Sequence, residues 1–227
     1  MSKNIVQRAE DRVSIRTALV SVSDKGGLDE LVTGLMEIQP EIRLLSTGGT
    51  YRRIREILGD RAEGVLERVS RYTGQPETQG GLVKTLDFKI YLGLLTETFN
   101  DAHQADLMRT GAAPIDLVVC NLYPFQQTVA REGITVEHAR ANIDIGGPTM
   151  IRAAAKNFLR VAVLTQPSDY SRLIAQLREG HGALSLAQRF SLARKAFAHT
   201  AGYDAAIRDY LEGIDPEEVE GAYRFAD

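Results

Sequence analysis

Asp144 and Lys156 carry opposite charges at the two ends of a mostly small and apolar stretch, "DIGGPTMIRAAAK". Pro148 suits the first position of a helix, and the residues after it are strong helix formers. The sequence therefore predicts a glycine turn at 146–147 that leads into a helix. The two charges could simply stabilise the helix ends, by under about 1 kcal/mol each. They could instead belong to a site, because a glycine-rich turn leaves backbone N–H groups free to meet an anion.

Hydroxyl groups, glycines and lysines follow several of the predicted strands. Because ligands bind beyond the carboxyl ends of strands in an open parallel sheet, these loops predict a phosphate-binding edge. Each loop alone is a weak signal, since "STGGT" could be an ordinary turn and a serine an ordinary helix cap. The candidates are Ser23, Lys25, Ser46, Thr47, Gly48, Gly49, Thr50, Lys84, Thr85, Asn121, Tyr123 and Gly146.

Short apolar runs that alternate with helical patterns predict the elements that would position these residues. Strands are predicted at 17–22, 42–46, 63–70, 88–95, 115–122 and 160–165. Helices are predicted at 27–38, 50–58, 100–111, 136–143, 168–180 and 185–212, the last opening with the capping-box spacing of Ser185 and Gln188. This alternation predicts an α/β domain on a largely parallel sheet. We expect a polar lead-in at 1–16, one domain at 17–212 with a C-terminal helical appendage, and a loosely held acidic tail at 213–227.

Composition excludes several classes of protein. The 227 residues carry a net charge of −3, so nucleic acid is not the expected partner. A single cysteine, Cys120, rules out an internal disulfide and is expected to be a buried thiol. The four histidines have no metal-ligand spacing. With no long apolar run and no signal peptide, the expectation is a cytoplasmic protein that is not bound to a membrane.

A series of motifs in chain order resembles one family. "SVSDKGG", "LLSTGGT", "TGQPE", "VKTL", "IDLVVCNLYPF", "NIDIGGPTMIRAAAKN" and "KAFAHTAGYDAAI" together look like the inosine monophosphate (IMP) cyclohydrolase domain of the bifunctional purine-biosynthesis enzyme. The matches extend from about residue 17 to residue 212. The resemblance implies a methylglyoxal-synthase-like fold. It also implies dehydrating ring closure of the formamido-imidazole-carboxamide ribotide (FAICAR) to IMP, without metal or organic cofactor. In the family a formyltransferase domain follows, so a stand-alone cyclohydrolase domain is expected here, as a homodimer.

The resemblance also implies roles for particular residues. Lys84, Tyr123, Asp144 and Lys156 would form the catalytic group. Asp144 would accept a proton or orient the carboxamide, Lys156 and Tyr123 would manage proton transfer, and Lys84 would stabilise the oxygen that leaves as water. His199 is given a structural role, because a lone histidine on a largely apolar helix face is more often packed than catalytic.

One segment departs from the family pattern. Leu82 stands where the family has an arginine expected to contact the substrate phosphate, and Asp87-Phe88 stands where it has His-Pro. The remaining basic candidates for the phosphate are Lys25, Lys84 and Lys89, with Arg52 or Arg53 beside "STGGT". Of these, Lys25 with the "STGGT" turn is expected to bind the phosphate, and Asp87 is expected to turn away or pair with a lysine such as Lys89. Two alternatives remain open: a non-catalytic module that binds purine nucleotides, and a phosphate-eliminating synthase acting on a triose phosphate.

Overall fold

A parallel β-sheet forms the centre of the structure, a computed structural model that describes residues 5–76 and 84–226. The strands are β1 (Arg12–Ser14), β2 (Thr17–Val22), β3 (Arg43–Ser46), β4 (Leu66–Arg68), β5 (Leu117–Asn121), β6 (Ala162–Leu164) and β7 (Ala183–Ser185). Five of them lie side by side, all parallel, in the order β4-β3-β2-β5-β6. In the described residues, β1 and β7 form a separate antiparallel pair.

Helices cover both faces of this sheet. They are α1 (Leu28–Ile38), α2 (Gly48–Leu58), α3 (Val69–Thr73), α4 (Phe88–Leu95), α5 (Asp101–Thr110), α6 (Phe125–Val129), α7 (Val136–Ala141), α8 (Gly146–Lys156), α9 (Tyr170–Glu179), α10 (Leu186–Glu212) and α11 (Pro216–Gly221), with 3-10 turns at Gly59–Ala62 and Pro167–Asp169.

The central strand β2 has a mainly apolar sequence because both of its faces are covered. Successive strand residues point to opposite faces of a sheet. Ala18 and Val20 pack into a core with α1, α2 and α9, whereas Leu19 packs into a second core with α4, α8 and α10. A strand that is buried on both faces is apolar at most of its positions. The predicted α/β class, with a largely parallel sheet, is confirmed.

The prediction of a strand at 88–95 is wrong, because this segment forms the helix α4. Asp87 caps the helix by accepting the backbone N–H of Lys89 at 2.8 Å. Ile90 and Leu94, four residues apart, are fully buried on one face. Gly93 lies so close to a neighbouring loop that an added Cβ would be 2.5 Å from the carbonyl oxygen of Ala113. A short apolar run fits a strand and a buried helix equally well, so periodicity alone could not decide.

Both ends of the chain contain more structure than their polar composition predicts. Within the predicted lead-in, β1 pairs with β7, and the guanidinium of Arg189 donates to the backbone carbonyls of Glu10 and Asp11. The acidic tail contains α11, and the hydroxyl of Tyr223 donates to Glu137 Oε2 at 2.6 Å. The long helix α10 is a single element whose predicted capping box is present. The predicted strand at 63–70 is shorter than expected, because β4 covers only Leu66–Arg68 and the short helix α3 begins at Val69.

Candidate active site

The loops that follow β2, β3 and β5 meet at the carboxyl edge of the sheet, because these strands are neighbours. Asn121 at the end of β5 fastens the loop after β2. Its side-chain oxygen accepts the backbone N–H groups of Ser23 and Asp24 at 2.6 and 2.9 Å, and its amide nitrogen donates to the carbonyl of Asp24 at 2.9 Å. Asn121, predicted to bind the nucleotide, therefore holds one wall of the site through these internal bonds.

Two cations flank the glycine turn at the N-terminus of α2. A Cβ placed on Gly49 would lie 3.9 Å from Lys25 Nζ and 3.8 Å from Arg52 Nη2. The ammonium of Lys25 also donates to the carbonyl of Ser23 at 3.2 Å. Gly48 has a φ of 43°, a left-handed conformation that glycine adopts without strain. Because the N-terminus of a helix attracts anions, the two cations and the turn together form a positive corner.

The hydroxyl groups of this turn are directed mainly into the protein. Ser46 is fully buried and donates to the carbonyl of Val20 at 2.7 Å. Thr50, also buried, donates to the carbonyl of Val22 at 3.0 Å and accepts its N–H at 3.1 Å. The side chain of Ser46 is thus out of reach of a ligand in this structure, and both residues fix the turn against β2. Thr47 is partly exposed, and its hydroxyl lies 2.8 Å from that of Ser21.

A second cluster lies at the N-terminus of α8, which begins at Gly146 instead of at Pro148 as predicted. The carboxylate of Asp144 accepts the backbone N–H of Gly147 at 2.9 Å. An added Cβ on Gly147 would lie 2.6 Å from Asp144 Oδ2 and 2.6 Å from Leu122 Cδ2. A side chain at position 147 would therefore force Asp144, Leu122 or the backbone to shift, because the carboxylate packs directly onto the helix backbone.

The electrostatic environment of Asp144 combines two opposing effects. Burial raises the pKa of the carboxyl group, while backbone N–H groups of Gly147, Tyr123 and Gly146 favour the ionised form and partly offset that increase. A carboxylate with a raised pKa at the carboxyl edge of a parallel sheet is suited to accept a proton.

Tyr123 and the segment around Thr85 border the same cluster. The side chain of Tyr123 is 49% exposed, so its hydroxyl can meet a ligand. Thr85 is buried, and its Oγ1 would lie 3.1 Å from a Cβ placed on Gly146. Lys84 precedes Thr85 and is exposed. The structure thus brings Thr85, Tyr123, Asp144 and Gly146 together. Lys84 directly precedes Thr85 in the chain.

Lys156 does not join this cluster. It is exposed in the last turn of α8, about 15 Å along the helix axis from Gly146 at a rise of 1.5 Å per residue. The adjacent Asn157 is buried and donates its amide to the carbonyls of Leu94 and Thr96, near the edge at which the strands begin. A lysine side chain cannot span the distance back to Asp144. The predicted catalytic group of four is therefore not assembled within one chain, and Asp144 and Lys156 do not form an ion pair with each other.

The structure describes only part of the segment that departs from the family pattern. Leu82 lies outside the described residues. Asp87 is turned inward as the cap of α4, bound to the backbone of Lys89 and not to its ammonium, which lies 3.4 Å from the carbonyl of Tyr72. Burial raises the pKa of Tyr91 to about 12, so its phenol is neutral.

Sequence reasoning missed Tyr203 and gave Arg52 only as one of several basic candidates. Tyr203 lies on α10, and its hydroxyl oxygen accepts the backbone N–H of Asp144 at 2.8 Å. The only available signal was its place within the motif "KAFAHTAGYDAAI", which does not say what the side chain contacts. Arg52 follows "STGGT" by two residues, and only the geometry separates it from Arg53, which pairs with Glu56 at 3.2 Å.

The site and fold together define a three-layer α/β domain with a positive corner and a half-buried carboxylate at the carboxyl edge of its sheet. The MGS-like domain model matches residues 27–149, which is more than half of the chain, and the chain belongs to this family. A second family model, described as AICARFT/IMPCHase bienzyme, matches residues 154–226. The predicted resemblance is confirmed at this level.

Two relatives extend the comparison. The chain is 48% identical over 209 residues to the bifunctional purine biosynthesis protein PurH of Magnetococcus marinus. That alignment covers 92% of this chain but only 38% of the relative. A solved structure titled "Crystal structure of ForH" matches with a TM-score of 0.71 and 32% sequence identity, covering 87% of this chain and all of the other.

Two features are absent from the described residues. None of the helices in those ranges is long and apolar enough to cross a bilayer. In the same part of the chain, no group of three or more histidine, cysteine, aspartate or glutamate side chains is placed to hold a metal ion.

Proposed function

We propose that this chain is an IMP cyclohydrolase, which closes FAICAR to IMP with loss of water. The observation that carries the proposal is the half-buried carboxylate of Asp144, held at the N-terminus of α8 beside Tyr123 and on the same sheet edge as the positive corner. The similarity to the bienzyme family and to PurH supports the same reaction.

The proposed reaction forms one bond and releases one water molecule. The carboxamide nitrogen attacks the formyl carbon and transfers a proton to Asp144, because a neutral amide is a poor nucleophile. The formyl oxygen takes up negative charge, which Lys84 stabilises. Tyr123 gives this oxygen one proton and protonated Asp144 gives it the second, so that it leaves as water. The formamide N–H proton, lost as the C=N bond of the new ring forms, returns to Tyr123. Positioned acid–base groups contribute about 10²–10⁴ in rate, and an oxyanion donor about 3 kcal/mol.

The substrate phosphate binds at the positive corner formed by Lys25, Arg52 and the turn at Gly48-Gly49. With Leu82 at the family arginine position, these two cations supply the charge. A charge-assisted hydrogen bond is worth about 1.5–3 kcal/mol, so Lys25→Ala and Arg52→Ala should each raise KM about tenfold or more with little change in kcat. Arg53→Ala is the matched control, because Arg53 pairs with Glu56. An unchanged KM in both variants would place phosphate recognition elsewhere.

Incubation with FAICAR tests the activity directly. The purified chain, with a chelator present and no folate, should convert FAICAR to IMP, followed by absorbance and by mass spectrometry. Undiminished FAICAR with folded protein would refute the proposal. Tight binding of IMP without turnover would support the nucleotide-binding module, and release of methylglyoxal from a triose phosphate would support the synthase. We also propose that the chain works in the cytoplasm, where its substrate would come from a formyl-transferring reaction.

A further inference from the structure

Tyr203 connects helix α10 to the loop that carries the candidate catalytic carboxylate. Its phenol oxygen accepts the backbone N–H of Asp144 at 2.8 Å, and its hydroxyl donates to the carbonyl of Asn142 in a longer contact of 3.5 Å. The side chain is only 9% exposed. The hydroxyl therefore acts as both acceptor and donor toward the 142–144 segment, whose Asp144 lies 59 residues earlier in the chain.

The ring of Tyr203 also contacts the other loop of the site. It packs edge-on against Phe125, with ring centroids 6.3 Å apart and an interplanar angle of 70°. Phe125 is fully buried, and its backbone N–H donates to the carbonyl of Tyr123 at 2.8 Å. One side chain on α10 therefore fixes the loops of both Tyr123 and Asp144. Burial raises the pKa of the Tyr203 phenol, which keeps the proton that it donates to Asn142.

This contact joins the two parts of the chain that match different family models. Asp144 lies in the region matched by the MGS-like domain, residues 27–149. Tyr203 lies in the region matched by the bienzyme family, residues 154–226. Helix α10 is thus part of the active-site architecture, because it packs against α8 and reaches the loop that precedes the N-terminus of α8.

We propose that Tyr203 is a positioning residue for the reaction at Asp144, holding the 142–144 loop so that the carboxylate stays against the N-terminus of α8. The inference rests on the proposed function. Tyr203 does not touch the reacting atoms in this account and acts through the backbone of Asp144. A misplacement of about 1 Å at a catalytic group can cost about a hundredfold in rate, so a looser loop should lower kcat.

The test is Tyr203→Phe, which removes the hydroxyl and keeps the ring against Phe125. We expect kcat for FAICAR to fall about tenfold while KM changes less than about twofold. The acid limb of the pH–rate profile should also move to lower pH, because a looser carboxylate gains solvent and its pKa falls. Tyr210→Phe is the matched control, since Tyr210 packs on the same Phe125 ring at 5.7 Å without bonding to the Asp144 loop. Wild-type kcat and an unmoved acid limb in Tyr203→Phe would overturn the inference.

Hydrogen exchange separates this inference from the proposed function. The amide of Asp144 loses its acceptor in Tyr203→Phe, so exchange at residues 142–145 should become about fivefold faster. The Tyr210→Phe variant should exchange like the wild type. If the wild type makes no IMP, the proposed function fails. If exchange at the loop is the same in both variants, the positioning role of Tyr203 fails.

Discussion

Replacement of Gly147 by alanine tests whether the Asp144 carboxylate must pack directly on α8. Two effects oppose each other. Alanine is the better helix former, by at most about 1 kcal/mol. The new methyl group, however, would lie 2.6 Å from both Asp144 Oδ2 and Leu122 Cδ2, where ordinary contacts begin at 3.4 Å. The carboxylate or the backbone must therefore shift by about 0.8 Å.

Overpacking of this size costs about 1–3 kcal/mol, which equals or exceeds the gain in helix propensity. We expect Gly147→Ala to be neutral or destabilised by up to about 2 kcal/mol in urea unfolding. The effect on catalysis should be larger, because a shift approaching 1 Å at a catalytic group costs up to about a hundredfold. Steady-state conversion of FAICAR should show a lower kcat with a nearly unchanged KM, since the substitution does not alter the positive corner.

Gly202 provides a matched control in the interior of α10. A Cβ placed there meets no described atom within 4 Å. Gly202→Ala should therefore stabilise the protein by about 0.5–1 kcal/mol and leave kcat unchanged. The reasoning is refuted if Gly147→Ala is both more stable than the wild type and fully active.

The remaining predictions concern charge. Lys156→Ala should leave kcat within about threefold of the wild type if one chain builds the site; a large loss would mean that Lys156 of a second chain completes it. Because burial raises the pKa of Asp144 above the ordinary value of about 4, kcat/KM should fall with decreasing pH through that raised pKa. Asp144→Asn should unfold at higher urea than the wild type at pH 7, since an acid with a raised folded pKa destabilises the fold once ionised. Arg189→Met should lose about 3–5 kcal/mol in urea unfolding, whereas exposed Arg194→Met should lose little.

The large prediction for Arg189 follows from its surroundings. The fully buried guanidinium donates to five backbone carbonyls, those of Glu10, Asp11, Phe158, Leu159 and Leu184. Methionine fills similar volume but leaves these acceptors without a donor, and unsatisfied buried groups are costly. Sequence patterns could not identify this residue, because an arginine in a helix is ordinarily exposed and its partners lie far away in the chain.

Local patterns predicted the elements whose environment is simple. The run "TALVSV" is buried on both faces and was correctly predicted as a parallel strand, and Ser185 with Gln188 correctly marked the start of α10. Residues 88–95 were mispredicted because a run of eight mainly apolar residues has no decisive period. Pairings between distant segments, such as β1 with β7, carry no local signal at all.

The sequence predicted where the candidate site lies but not all of the residues that form it. Parallel strands necessarily bring their carboxyl ends to one edge, so the loops of Lys25 and Asp144 were expected there. The inclusion of Lys156 came from resemblance alone, and the length of α8 separates it from Asp144. Tyr203 could not be predicted, because its role depends on how α10 crosses the N-terminus of α8.

The most direct test of the central claim is the single-turnover rate of FAICAR closure by Asp144→Asn compared with the wild type. The asparagine oxygen can still accept the N–H of Gly147, so the helix cap and the fold should be retained. We expect the variant to bind IMP with a Kd within about threefold of the wild type while its closure rate falls at least about a hundredfold, as loss of a positioned base implies. A closure rate within a few-fold of the wild type, with the variant folded and binding IMP, would contradict it.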